Sequence, residues 1–256
     1  MNEFSLPVQF LSEFTGTMLL ILLGVGVSAN TSLKKSFGFG SDWLLIAFGW
    51  GFAVFVGASV SWRSGAQLNP AVTLVQAANG VLPWGHVPLY IAAQLLGAMV
   101  GAVLAYLVYK KQFDTHDDPA NTGGIFFTSA SVKAPQWNII SEAVGTFVLL
   151  MWVQQSSPFQ AGTADATPQF GNSALGYAGV AFTVIAIGAS LGGPTGYAIN
   201  PVRDLGPRIV YTFLPIKGKG SSNWGYSWVP IVGPLIGVAL TVAYLWLAGE
   251  ITAEPM

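Results

Sequence analysis

The chain has 256 residues, of which 52% are hydrophobic and only 8% charged, with 31 glycines, no cysteine and a formal net charge of -1. Mean hydropathy is +0.57. That balance excludes an ordinary soluble domain, which needs far more charged surface. It offers no basic patch for nucleic acid, and without cysteine there are no disulfides, thiolate metal sites or thiol nucleophiles.

Stretches of about 20 apolar residues occur at about 9–29, 43–61, 86–108, 136–155, 175–191 and 228–248. They predict six membrane spans. Glu13 interrupts the first stretch and no basic segment precedes it, so it is expected to be a retained span and not a cleaved signal. Polar connections rich in turn formers or charge separate the spans, among them the segment over 154–173. None is long enough for a second domain.

Two apolar segments remain, "NPAVTLVQAA" from Asn69 and "NPVRDLGPRIVYTF" from Asn200. Each is about half the length that crosses a bilayer. Both open on Asn-Pro, a strong helix start: the Asn side chain caps the first amides, and Pro at the first helical position gives up an N–H that has no partner anyway. These segments predict half-helices that begin at membrane depth.

The two halves of the chain echo each other, "SEFTGTMLLILLG" from Ser12 matching "SEAVGTFVLLMWV" from Ser141. Glu13 and Glu142 lie 129 positions apart, and Asn69 and Asn200 lie 131 apart. Three spans and a half-helix, used twice, turn the second copy upside down, because an odd number of crossings reverses the chain. The expected architecture is therefore all-α: six transmembrane helices plus two re-entrant half-helices in an inverted repeat. The repeats run over 1–110 and 134–249 within a single channel domain. Irregular backbone ahead of a half-helix is tolerated at that depth only where it is buried in protein or lines a water-filled cavity. Asn69 and Asn200 are thus expected to meet near the midplane, with the positive ends of both half-helices directed there. That meeting point is a pore.

The boxes "SGAQLNPAVT" and "GGPTGYAINPVRDLGPR", the paired "SE..GT" openings and Gln94 resemble the aquaporin superfamily, specifically its glycerol-facilitator branch. The resemblance covers essentially the whole chain. It implies a passive channel for glycerol and other small uncharged solutes, including water, with dihydroxyacetone, urea and undissociated lactic acid as further candidates. It also implies a homotetramer in the lipid bilayer of the cell membrane, cytoplasmic termini, and no cofactor. By position it carries over pore asparagines Asn69 and Asn200, and a constriction of Trp50, Gly188, Tyr197 and Arg203. The stretch from Trp50 to Asn69 is one residue shorter than the family pattern, which leaves Gly49 or Trp50 facing the pore. Gly188 replaces the histidine of water-selective relatives and is expected to leave room for a carbon chain. The loop lining carried over is Gly65, Ala66, Gln67, Ala198 and Ile199. Two residues depart from the family: Val202 in the second box, and Gln67 where His usually stands.

Chemistry gives each of these residues a role. Arg203 sits against the positive end of its own helix, where a cation is disfavoured, so loop carbonyls are expected to hold it while it lines the pore. Aromatic rings opposite a guanidinium suit a polyol, whose hydroxyls lie on one side and CH groups on the other. Converging dipoles and Arg203 repel cations and protons. Glu13 and Glu142 are read as acceptors that orient loop amides, not as a proton relay. Asp204 and Arg208 are assigned structural work, and Gln94 interhelical bonding. Gly97/Gly101 and Gly233/Gly237 mark close helix contacts.

His86 and His116 lack ligand partners at metal spacing, so no metal is expected. The rival within the class is a water-selective pore. The rival class is an ion-coupled secondary transporter, which needs a coupling-ion site for which no further carboxylate is available. A membrane enzyme would need a nucleophile and base, and none are paired here. All seven lysines fall on one side of the six-span topology and Arg63 on the other. The positive-inside rule would place the lysine side in the cytoplasm, opposite to the topology the resemblance implies.

Overall fold

The computed structural model describes residues 4–156 and 174–251. Among them there is no strand. Six helices are 18 residues or longer: α1 (Leu6–Ser32), α2 (Trp43–Val60), α4 (Val87–Val108), α6 (Pro135–Gln155), α7 (Ala174–Leu191) and α9 (Val229–Leu247). Two shorter ones, α3 (Pro70–Ala78) and α8 (Pro201–Phe213), are the segments that follow the Asn-Pro steps. At nine residues α3 rises only about 14 Å, against a hydrocarbon core of about 30 Å. A five-residue helix, α5 (Lys110–Asp114), continues past a break at Tyr109 and was not expected from sequence. The polar connection predicted over 154–173 lies, beyond Ser156, outside the described residues.

Among the described residues, four helical stretches are long and apolar enough to cross a membrane by length and composition: Leu6–Ser32, Trp43–Val60, Trp84–Val108 and Trp224–Leu247. In α6 the polar residues Asn138, Glu142 and Thr146 are buried, so that polarity points inward and not toward lipid. The outward faces carry Leu44, Phe52, Leu107, Trp137 and Phe182, all exposed. Apolar cover of that extent suits lipid or another subunit, not water.

Packing is symmetric in its pairings. α1 packs on α4 as α6 packs on α9, and each half-helix lies against the last span of the other half: α3 on α9, α8 on α4. Backbone contact sets these distances. A Cβ on Gly97 or Gly101 would collide with the carbonyl oxygens of Phe14 and Met18 in α1. On Gly233 it would strike the Cβ of Glu142. In lipid there is little hydrophobic drive between helices, so such close approach supplies much of the association. α3 and α8 also point to opposite ends of α6. Beyond the C-terminus of α3, Asn79 Nδ2 donates to Gln154 Oε1 at 2.9 Å near the end of α6. The loop that leads into α8 is tied by Ser131 N to Pro194 O at 2.9 Å, near the start of α6.

Candidate functional site

The site is built from two loops and two helix starts. Ahead of Asn69, Ala66 and Leu68 have φ of 53° and 54°; ahead of Asn200, Tyr197 and Ile199 have φ of 38° and 43°. Left-handed backbone is unfavourable for such residues, and persists only where surroundings impose it. Here the surroundings are two buried carboxylates. Glu13 accepts from the amides of Gln67 (2.9 Å) and Leu68 (2.7 Å). Glu142 accepts from those of Ala198 (3.0 Å) and Ile199 (2.8 Å). The amides are the same one and two positions before each asparagine. A planar trans peptide sets C=O opposite N–H. The carbonyls of Ala66, Gln67, Tyr197 and Ala198 therefore point away from the glutamates.

Glu13 is the more heavily bonded of the two. It also accepts from Ser64 Oγ (2.6 Å) and from Gln94 Nε2 (2.8 Å), while Gln94 Nε2 donates to Thr73 Oγ1 (2.9 Å) as well. Gln94 thereby joins α4 to α1 and α3.

The asparagines cap and cross. Asn69 Oδ1 accepts from Ala71 N at 2.9 Å, and Asn200 Oδ1 from Val202 N at 3.1 Å and Arg203 N at 3.3 Å. Each Nδ2 then donates across to the carbonyl just ahead of the other asparagine: Asn69 to Ile199 O (2.8 Å), Asn200 to Leu68 O (2.9 Å). An amide carries two hydrogens, so one on each Nδ2 is left over. Both half-helices start at this junction with their positive ends facing it.

A cavity of about 480 Å³ runs past the junction. It is lined by Gly65 to Asn69 and Tyr197 to Asn200, with Trp50 and Arg203 among its walls and Gln76, Trp152 and Ser156 further along. Apolar side chains such as Leu20, Val72, Leu149 and Val184 make up much of the rest. One wall is thus polar backbone, and much of the rest is hydrocarbon.

Arg203 is buried, with its Cζ 3.7 Å from the centre of the Trp50 ring. Among the described residues its guanidinium has one protein acceptor, Phe126 O at 3.2 Å from Nη1. Trp50 is fixed in turn by Nε1 donating to Ser28 Oγ at 3.2 Å. Between the two candidates left by the sequence, Trp50 lines the cavity, while the Cβ position of Gly49 meets Val27 of α1. Arg208 contrasts with Arg203. It is fully buried and all five N–H groups are used, on Asp204 Oδ1 and Oδ2 and on the carbonyls of Thr128, Ser222 and Asn223. Asp204 also accepts from Thr128 N (2.8 Å) and Thr128 Oγ1 (2.7 Å). This pair braces the loops around α8 and leaves Arg203 to the cavity.

Gly188 does not line the cavity. A Cβ there would stand 2.8 Å from Tyr197 Cζ, so the space beside it holds the Tyr197 ring. Val202 is buried in the core and also off the cavity. Sequence reasoning missed Trp43, whose Nε1 donates to Gly188 O at 2.8 Å and whose ring meets Tyr197 edge-on at 5.7 Å. It missed Ser28 and Phe126 too. No sequence signal links these residues to the site, since each meets it only through tertiary packing.

Residues 1–245 match the family described as major intrinsic protein. The chain is 50% identical to the glycerol uptake facilitator protein of Bacillus subtilis over 229 residues, which cover 89% of this chain and 80% of that one. It is 49% identical to the probable glycerol uptake facilitator protein of Thermotoga maritima, covering 93% and 98%. Among solved structures, the aquaglyceroporin from Plasmodium falciparum is similar with a TM-score of 0.76 and 30% identity, covering 94% of this chain and 96% of that one.

Proposed function

Because the chain belongs to the major intrinsic protein family, a family of multi-pass integral membrane channels, we propose that it is a passive glycerol channel. The observation that carries the reading is the crossed pair of asparagine bonds, Asn69 to Ile199 and Asn200 to Leu68, which joins two helix starts beside one cavity. A solute that enters must shed water. The carbonyls of Ala66, Gln67, Tyr197 and Ala198 accept its hydroxyl hydrogens, and the spare Nδ2 hydrogens of Asn69 and Asn200 donate to its oxygens. Hydrocarbon walls take the CH face. One-sided polarity of this kind fits a polyol better than a hydrated ion, which needs acceptors or donors on every side.

Charge selection belongs to Arg203 and the dipoles. A cation or proton at the junction faces two helix N-termini, and next meets a guanidinium with most of its N–H groups unused by the protein. Tyr197 and Trp50 supply the aromatic wall opposite hydroxyl contacts. The constriction is formed by Trp50, Tyr197 and Arg203, with Gly188 acting at one remove by leaving space for the Tyr197 ring. Glu13 and Glu142 set the loop carbonyls in place.

Water shares the route, and dihydroxyacetone, urea and undissociated lactic acid are further solutes of the right size and neutrality. We place the protein in the cell membrane as a homotetramer with one pore per subunit and cytoplasmic termini. Its repeats run over 1–110 and 134–249. Stopped-flow swelling of proteoliposomes in a panel of neutral solutes tests the reading. Glycerol entry above that of empty vesicles is expected, and its absence overturns the proposal.

A further inference from the structure

We infer that the groove between α3 and α9 is a phospholipid site, which seats one acyl chain of the surrounding bilayer against the back of the half-helix that Asn69 caps. The inference rests on the membrane-channel reading and adds a ligand to it. The groove has a volume of about 600 Å³ and shares no lining residue with the solute cavity. α3 is the partition between the two. Val72 and Gln76 line the cavity, whereas Leu74 and Ala78, on the opposite side of the same helix, line the groove with Val238 and Ala239 of α9. Whatever fills the groove therefore supports one wall of the solute path.

The opening follows from a difference between the two half-helices. α8 has 13 residues, and a Cβ on its Gly206 would stand 2.6 Å from that of Ala98, so α8 and α4 meet at close range. α3 has nine residues and no glycine, and it stops about 6 Å sooner. Its seam with α9 stays open. Water does not suit the space, because the described lining has no charged or hydroxyl side chain and a buried water needs several polar partners. Depth decides the occupant. On α9 the groove runs from Leu235 to Trp246, 11 positions and a rise of about 16 Å, close to half of a hydrocarbon core of about 30 Å. A groove one leaflet deep fits an acyl chain and not a spanning helix of a second copy. Trp246 stands four positions before Glu250, whose Oε2 accepts from Gln155 Nε2 at 2.8 Å, beside the Asn79–Gln154 bond that marks the end of α6. That end is the membrane edge. Trp84, five positions after Asn79, also lines the groove, and both indoles are exposed. An indole with an apolar ring and an N–H tip belongs at that level, where lipid ester oxygens accept.

The test uses the whole channel in proteoliposomes that contain a phosphatidylcholine with a photoactivatable diazirine in one acyl chain, and maps the adducts by mass spectrometry. Adducts are expected on the groove residues of α3 and α9, above the level at exposed positions of α4 such as Val103 and Leu107. Ala239→Phe fills the groove and should cut those adducts about tenfold, because an overfilled site rejects a second occupant, while adducts on α4 persist. Groove adducts no more frequent than those on α4, or unchanged in Ala239→Phe, overturn the inference. Flux gives a second readout. Lipids with chains too short to reach Leu235 should lower the ratio of glycerol to water flux about twofold or more in wild type, and should leave it unchanged in Ala239→Phe, whose ring replaces the chain. An equal response in both overturns the support of α3 by lipid. If Ala239→Phe does not assemble, the wild-type adduct map decides by itself. Ala243→Cys checks the rival occupant: the chain has no other thiol, and the variant should stay monomeric on a denaturing gel after oxidation. A disulfide-linked dimer would place a second copy on the groove and overturn the inference. Failure of wild type to pass glycerol is a separate result, which defeats the channel reading and leaves the adduct map to decide the site.

Discussion

The guanidinium carbon of Arg203 stands 3.7 Å from the centre of the Trp50 ring, although the two residues belong to helices from opposite halves of the chain. The stack explains how a cation is kept at the N-terminus of its own helix, where the dipole opposes it. A desolvated guanidinium on a tryptophan face gains about 2 kcal/mol, and needs only one carbonyl besides. The N–H edges stay available to solute.

Arg203→Val should therefore fold. It removes one protein hydrogen bond and one stack, while the bracing around α8 stays with Arg208. Larger neutral solutes such as pentitols should enter faster, glycerol flux should persist, and a small proton leak should appear, limited by the remaining dipoles. Swelling assays with a polyol series and an entrapped pH dye read both effects. A folded variant with an unchanged size cut-off and no leak would remove Arg203 from the solute path.

Asp204→Asn and Arg208→Met should act on stability. Each leaves its partner charged, buried and unmatched, a loss of about 3–5 kcal/mol. Thermal unfolding in detergent should shift down by many degrees in either single variant. A shift no larger than that of a surface control would show that the loops are braced elsewhere.

At Gly188 even alanine should be felt, because its Cβ would stand 2.8–3.0 Å from the Tyr197 ring. Gly188→Ala is expected to push the ring toward the cavity and to lower glycerol flux more than water flux. In a Tyr197→Ala background the same change should cost much less, since contacting residues do not add. Strict additivity in flux would mean that the two do not act through one another.

The two buried glutamates predict an asymmetry. Glu13 accepts from two backbone amides and two side chains, Glu142 from two backbone amides at closely similar distances and from one side chain, that of Thr195. Glu13→Gln turns an N–H₂ toward a crowd of donors and should reduce the yield of folded protein more than Glu142→Gln. Size-exclusion profiles of the two variants check the order. Equal losses would point to the loop amides alone as what matters.

Much of this was legible in the sequence because the relevant rules are local. Asn-Pro followed by an apolar run predicts a capped half-helix, and α3 and α8 begin at the prolines of those steps. Glu13 and Glu142 were readable because the spacing from each to its Asn-Pro is nearly the same. Sequence could not reveal what fills the space beside Gly188: a missing side chain signals room, and only packing says that the Tyr197 ring takes it. Trp43 and Phe126 were invisible for the same reason, since one acts through its indole N–H and the other through a backbone carbonyl. The choice between Gly49 and Trp50 turned on helix rotation, which a one-residue difference in loop length leaves open.

The central claim is a fixed path that passes glycerol and refuses ions, and one preparation tests it. Proteoliposomes loaded with a pH dye are exposed to a glycerol gradient, then to a membrane potential, with empty vesicles as reference. The account predicts glycerol entry that rises linearly with concentration, needs no proton gradient and brings no dye response to the potential. Saturating entry that depends on a proton gradient, or proton flux above that of empty vesicles, would contradict it.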